Sequence, residues 1–395
     1  MESERRENMA LQMILGRSGA GKSYQLYQKV IEQSIKHPEK QYFVIVPEQF
    51  TMQTQRDLVA MHPNHGIYNI DVLSFMRLAY RVFEEQGGMK RTVLEDTGKS
   101  MLVRRVITEK KEQLQVFKNY AKKPGYISEI KSLLSEFYQY DIKNDTMEQM
   151  LSLTEKKPML KRKLEDMQVI FQGFEEQLAE KYITSEEILD VMTEQLPNTD
   201  LFQNVTLALD GFTGFTPVQY KLLHQLLKIC EDVLVTVTID PFENPNYQKE
   251  EFSLFHLSRE MIDKLTYIAK EEGVEVAKDF VISDEVPYRF RNSAYLACLE
   301  KNLYRFSKKS LKMDMDNEEE KDIVLFAGRN MQGEVDYTVR EIFRLVQEKK
   351  YRYREIAVVT GDMETYSRVL EKAFAKENIP CFIDYKKDIM NNSFV

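Results

Sequence analysis

The sequence has no run of the roughly 18 consecutive apolar residues that a membrane-crossing helix needs. Its charged opening, residues 1–8, leads into a strand-like segment without the apolar core of a signal peptide. Cysteine is scarce: Cys230, Cys298 and Cys381 lie far apart and show no CxxC spacing. That excludes a disulfide framework and a cysteine metal site, and it fits the reduced thiols of a cytoplasmic protein. The five histidines form no ligand pattern with acids or cysteines. Positive charge is also short, with 55 Lys and Arg against 63 Asp and Glu, a net charge of −8. A protein that held duplex DNA by bulk electrostatics would be basic, so any nucleic-acid contact must use local patches. There is no internal repeat and no low-complexity tract.

What is present is a long chain, 395 residues and 43% hydrophobic, enough for two or three domains. Short apolar strands alternate with helical stretches from residue 9 to about 93. They read as strands at 11–15 and 42–46 with a helix near 23–34 between them, which predicts a parallel sheet covered on both faces. From 94 to 192 apolar residues recur at helical spacing, as in Ile130, Leu133, Leu134 and Phe137, and no segment reads as a buried strand. This stretch is expected to be an all-helical insertion. Residues 99–165 within it carry 15 Lys and Arg against 9 Asp and Glu, including Lys122, Lys123, Lys161, Arg162 and Lys163. Such a run is a solvated helical face or a nucleic-acid contact. Strands return at 205–209 and 233–239, so that 9–93 and 193–307 form one discontinuous α/β domain. The polar stretch 308–322 reads as a linker. Beyond it, strands at 323–327 and 356–359 and helices at 333–349 and 364–377 begin a second α/β domain. Nothing in the sequence closes that domain before Val395, and we expect the chain to be part of a longer protein.

The chemistry sits in Gly16-Arg17-Ser18-Gly19-Ala20-Gly21-Lys22-Ser23, an uninterrupted GxxxxGK[ST] between a strand and a helix. Glycines let backbone N–H groups turn toward a phosphate, and the helix N-terminus adds positive potential. Lys22 is placed to reach the β- and γ-phosphates of ATP, and the Ser23 hydroxyl to complete a Mg²⁺ shell. A site of this kind also needs an acid at the end of a neighbouring strand. Asp210, closing VTLALD, fits that role. Motor ATPases place a glutamate next to that aspartate to orient the attacking water, and this chain has Gly211 there. Loss of a general base costs about 10²–10⁴-fold in rate, so nucleotide binding with weak hydrolysis is expected.

Two further segments lie where ligands of open α/β sheets bind, past the carboxyl ends of strands. One is Val46-Pro47-Glu48-Gln49-Phe50-Thr51-Met52-Gln53; the other is Leu73-Ser74-Phe75-Met76-Arg77. Gln49, Phe50, Ser74, Phe75 and Arg77 suit a single DNA strand, with bases stacked on phenylalanine and phosphates met by polar and basic groups. Taken one at a time, phenylalanines such as Phe50 and Phe75 are more often core residues, and an arginine such as Arg77 is more often in a surface ion pair.

The order GRSGAGKS, VIVPEQFTMQTQ, VLSFMRLAYRVF, LDGFTGFTPVQ closely resembles the N-terminal part of the AddB family, one of the two subunits of bacterial AddAB or RexAB-type ATP-dependent helicase–deoxyribonucleases. The likeness runs on through IAVVTGDMETYSRVLEKAFAKENIPCFID, which is similar to the start of a second superfamily-one motor domain, and so spans nearly the whole chain. The resemblance implies a helicase-like scaffold without its own motor, an AddA-type partner that drives translocation, and contact with single-stranded DNA for Chi recognition during double-strand break repair. It also implies a C-terminal nuclease domain with an iron–sulfur cluster, neither of which lies in these residues. Three positions agree with a lost motor: Gly211, Asp240-Pro241-Phe242 in place of a Gly-Asp…Gln coupling motif, and Gly361 where active helicases carry an arginine. The residues alone leave two other readings open, a small-molecule or nucleotide kinase and a structural module with a vestigial loop.

Overall fold

The computed structural model describes residues 10–89, 91–119, 123–178, 181–305 and 322–385. The chain divides into two units, Met1–Leu311 and Lys312–Val395. No helix among the described residues is long and apolar enough to cross a membrane.

The first unit carries nine strands among its described residues: β1 Ala10–Gly16, β2 Gln41–Ile45, β3 Ile70–Leu73, β4 Thr92–Leu94, β5 Tyr182–Thr184, β6 Val205–Leu209, β7 Asp232–Thr238, β8 Glu275–Val276 and β9 Phe280–Val281. Seven of them form one sheet in which every pairing is parallel, ordered β3-β2-β6-β7-β1-β8, with β9 also on β1. A parallel sheet needs helices on both faces to bury its two sides. The period-2 alternation of the strands shows both. Leu11, Met13 and Leu15 of β1, with Phe43 and Ile45 of β2, enter a core made with helices Phe75–Glu85, Ile188–Gln195, Pro217–Ile229 and His256–Glu271. Ile14, Tyr42 and Val44 point the other way, onto Leu26, Val30 and Ile31 of helix Lys22–Lys36 and Leu58 of helix Thr51–Met61.

The insertion has its own core, in which Val103, Val106, Ile130, Phe137, Ile170, Phe171 and Phe174 are buried together. It differs from the all-helical expectation at one place. β5 pairs in parallel with β4 and joins the two ends of the insertion. A three-residue ladder is too short for a periodic signal. The helix Ile188–Gln195 then contributes Ile188 and Met192 to the core of the main sheet. The insertion therefore closes near Thr184, ahead of the expected boundary at 192.

In the second unit, helices Met331–Gln347 and Met363–Lys376 pack through Val335, Val339, Ile342, Leu370 and Phe374. The segments expected as strands, 323–327 and 356–359, carry no strand assignment and pair with no other strand among the described residues. Leu325 and Val359 are 97% and 91% exposed. Their sequences have strand character, but a strand requires a neighbour for its backbone groups. Of the stretch 308–322 read as a linker, only Asp322 lies within the described residues.

Candidate nucleotide-binding site

Parallel strands deliver their carboxyl ends to one edge of the sheet, and the loops after β1, β2, β3, β6 and β7 gather there. The loop after β1 turns through Gly19 at φ 72° and Gly21 at φ 99°, a region L side chains rarely adopt. Gly21 is the residue before helix Lys22–Lys36, so the loop ends on that helix's free N–H groups. Ser18 is exposed, while the Ala20 N–H donates to the Arg17 carbonyl at 3.2 Å. Lys22 Nζ donates to the same carbonyl at 3.0 Å. Burial pushes the Lys22 ammonium down to about pKa 8, offset in part by Asp210.

Asp210, at the end of β6, is 5% exposed. Its Oδ1 accepts from Ser23 Oγ at 3.0 Å and from Thr236 Oγ1, on the intervening β7, at 2.6 Å. Its Oδ2 accepts from Tyr27 OH at 2.7 Å. Tyr27 and Ser23 lie four residues apart on one helix face, and the Tyr27 hydroxyl also meets Thr54 Oγ1 at 3.2 Å. Burial, with Asp210 beside it, raises the Tyr27 hydroxyl well above the usual phenol range. Gly16, at the end of β1, leads through Arg17, Ser18, Gly19, Ala20 and Gly21 into Lys22 and Ser23 at the start of the helix, and Ser23 and Asp210 are brought together. A hydroxyl and a carboxylate in contact, with a lysine beside them, fit Mg²⁺ and a triphosphate, because Mg²⁺ takes hard oxygen donors and substrate phosphates.

Gly211 follows at φ 79°. A Cβ there would meet the Pro47 ring at 3.6 Å, an ordinary contact, so space does not forbid a side chain. The backbone conformation disfavours one.

The rim residues divide. Gln49 and Phe50 are exposed, and the exposed Arg77 pairs with Glu48 at 3.1 Å. Ser74 is buried and caps its helix, accepting from the Arg77 N–H at 3.3 Å. Phe75, a candidate for base stacking, is instead core. It is 6% exposed and packs against Phe212 and Phe215 at 5.4 and 6.2 Å between ring centroids. Helical position explains the difference: Phe75 shares the buried face with Leu78, Ala79 and Val82. Of the basic insertion residues, Lys122 lies outside the described residues; Lys123, Arg162 and Lys163 are exposed, and Lys161 is half-buried.

Sequence reading missed Tyr27, Thr236, Arg289 and Glu300. Tyr27 had a signal, its spacing from Ser23. Arg289 had none, since it comes from the turn Tyr288–Phe290 far along the chain. Its N–H donates to the Gly19 carbonyl at 3.1 Å. A Cβ on Gly19 would lie 2.7 Å from Arg289 Cβ, so only glycine fits beneath it.

Residues 13–300 match the family model described as ADDB, N-terminal, and residues 288–389 match the UvrD-like helicase C-terminal domain. A protein of Lachnoclostridium phytofermentans, named as a subunit of an ATP-dependent helicase/deoxyribonuclease, is 47% identical over 98% of this chain and 34% of its own length. Proteins of the same name from Caldanaerobacter subterraneus and Acetivibrio thermocellus are 35% and 33% identical, again over 98% of this chain and 33% of theirs. The chain spans about a third of the length of these curated relatives. With a P-loop on a parallel α/β sheet of helicase-like type, and a family match over most of its residues, the chain belongs to the AddB N-terminal family.

Proposed function

We propose that this chain is the ATP-binding, helicase-like part of an AddAB-type helicase–deoxyribonuclease, and that it holds MgATP without turning it over at a motor's rate. The names of its relatives support the helicase–deoxyribonuclease assignment. One observation carries the nucleotide reading: a complete phosphate loop with Ser23 Oγ on Asp210 Oδ1 at 3.0 Å, followed by Gly211 at φ 79°. Lys22 and the loop N–H groups would hold the phosphates, and Ser23 and Asp210 the Mg²⁺. When bound, the metal neutralises phosphate charge. This chain's own groups supply the cradle and orient the carboxylate. No side chain at position 211 is available to take a proton from water, and the backbone there disfavours replacing the glycine.

In this reading the chain works with an AddA-type partner in the cytoplasm, on broken DNA destined for homologous recombination. Gln49, Phe50 and Arg77 at the sheet rim would touch the single strand in which Chi is recognised. The test is a titration of the 395-residue chain with a fluorescent ATP analogue and Mg²⁺. Saturable binding, lost in Lys22→Ala with the fold intact by circular dichroism, is expected. Equal binding by both proteins would mean that the loop is vestigial.

A further inference from the structure

The second residue of the phosphate loop, Arg17, is 3% exposed. Its side chain turns to a segment far along the chain. The guanidinium donates to the Asp284 carbonyl at 3.1 Å, to the Glu285 carbonyl, and to Glu300 Oε2 at 3.2 Å. The side chains of this ion pair are 4% and 10% exposed. Phe242 covers the guanidinium at 5.9 Å. A second tie runs through the backbone, where Arg289 N–H donates to the Gly19 carbonyl. Two loop residues thus hold one stretch, from Asp284 through the helix Ala294–Asn302. A buried guanidinium left without one of these partners is an uncompensated charge, so the contacts hold as a set.

We propose that Arg17 is a positioning residue that ties the phosphate loop to residues 284–302, so that nucleotide binding and docking of that segment form one coupled equilibrium. The Arg17 backbone carbonyl already accepts from Lys22 Nζ. Phosphate draws Lys22 off that carbonyl, and the loop that then closes on phosphate is the loop that Arg17 fixes to the segment. Linkage makes the effect reciprocal: a docked segment presents a formed cradle, and a filled cradle holds the segment. This inference rests on the nucleotide-binding reading.

Hydrogen exchange of the 395-residue chain, with and without MgATP, tests it alongside nucleotide titration. In the wild-type chain MgATP is expected to slow exchange over 284–302 by about tenfold, within the usual coupling range. Arg17→Ala is expected to bind MgATP about tenfold more weakly and to lose the slowing. Should Arg17→Ala be unstable, Glu300→Gln keeps the volume and removes one ion pair. Faster exchange over 284–302 in that variant supports the tie, and wild-type exchange overturns it. A wild-type chain that binds MgATP while 284–302 exchanges at an unchanged rate would overturn the coupling and leave the nucleotide reading standing. If the wild-type chain binds no MgATP, both fall.

Discussion

At the scale of single residues, Lys22 and Gly211 set what the site can do. Burial holds the Lys22 ammonium near pKa 8, against a usual value of 10.5. A triphosphate favours the charged form, so binding above pH 8 must draw a proton onto Lys22. We expect proton uptake at about pH 8.5, read by calorimetry in two buffers of different ionisation enthalpy, and an affinity that falls as pH rises beyond about 8. Binding without uptake would show that Lys22 is already charged. The stability sign follows from the same shift. Between about pH 8 and 10.5 the unfolded chain holds more protons at this lysine, so its contribution to the stability of the fold rises with pH. For Gly211, a glutamate would have to adopt a left-handed backbone. Gly211→Glu is expected to cost about 1–3 kcal/mol and to gain no turnover; a gain in ATP hydrolysis would contradict the reading of this position.

At the scale of elements, the insertion depends on one buried acid. Asp166 is 1% exposed and accepts the N–H groups of Gln115, Val116 and Phe117 at 2.8, 2.6 and 2.8 Å. It thereby satisfies a loop that no ladder serves. Asp166→Ala strands these donors and is expected to destabilise the insertion by about 3 kcal/mol, at the upper end of what an unpaired buried group costs. Urea unfolding monitored by proteolysis within 94–184 would measure it, and a loss below about 0.5 kcal/mol would contradict the account. Elements of this size were legible where periodicity was long. Helix Lys22–Lys36 and strand β2 follow from their own residues. The β4–β5 ladder did not, because three residues carry no period. Phe75 was misassigned because proximity to a rim says nothing about which helix face a residue takes. The strand–loop–helix placement of residues 16–23 was legible, since its signature lies in eight consecutive residues. Arg289 and Glu300 were not, because only the fold brings them to that loop.

At the scale of the whole molecule, the sheet's carboxyl edge carries both the loop proposed to bind nucleotide and the rim residues proposed to meet a single strand. Phe50 is 48% exposed there, and Arg77 meets Glu48 in an exposed ion pair that a phosphate could replace. Base stacking on an aromatic side chain is worth about 1–3 kcal/mol. Phe50→Ala with Arg77→Ala is therefore expected to weaken single-strand binding by the assembled enzyme at least about fivefold, while MgATP binding by this chain is unchanged. Fluorescence anisotropy with a labelled oligonucleotide would show it; unchanged DNA affinity would remove both residues from the interface. The central claim, a cradle that keeps its nucleotide, is tested most directly by analysing what remains bound. The chain would be incubated with MgATP, freed of excess nucleotide, and the retained nucleotide separated by chromatography over hours. The account predicts about one nucleotide per chain, still triphosphate, and none retained by Lys22→Ala. Retained diphosphate with released phosphate would mean that another group activates water, and the account built on Gly211 would be wrong.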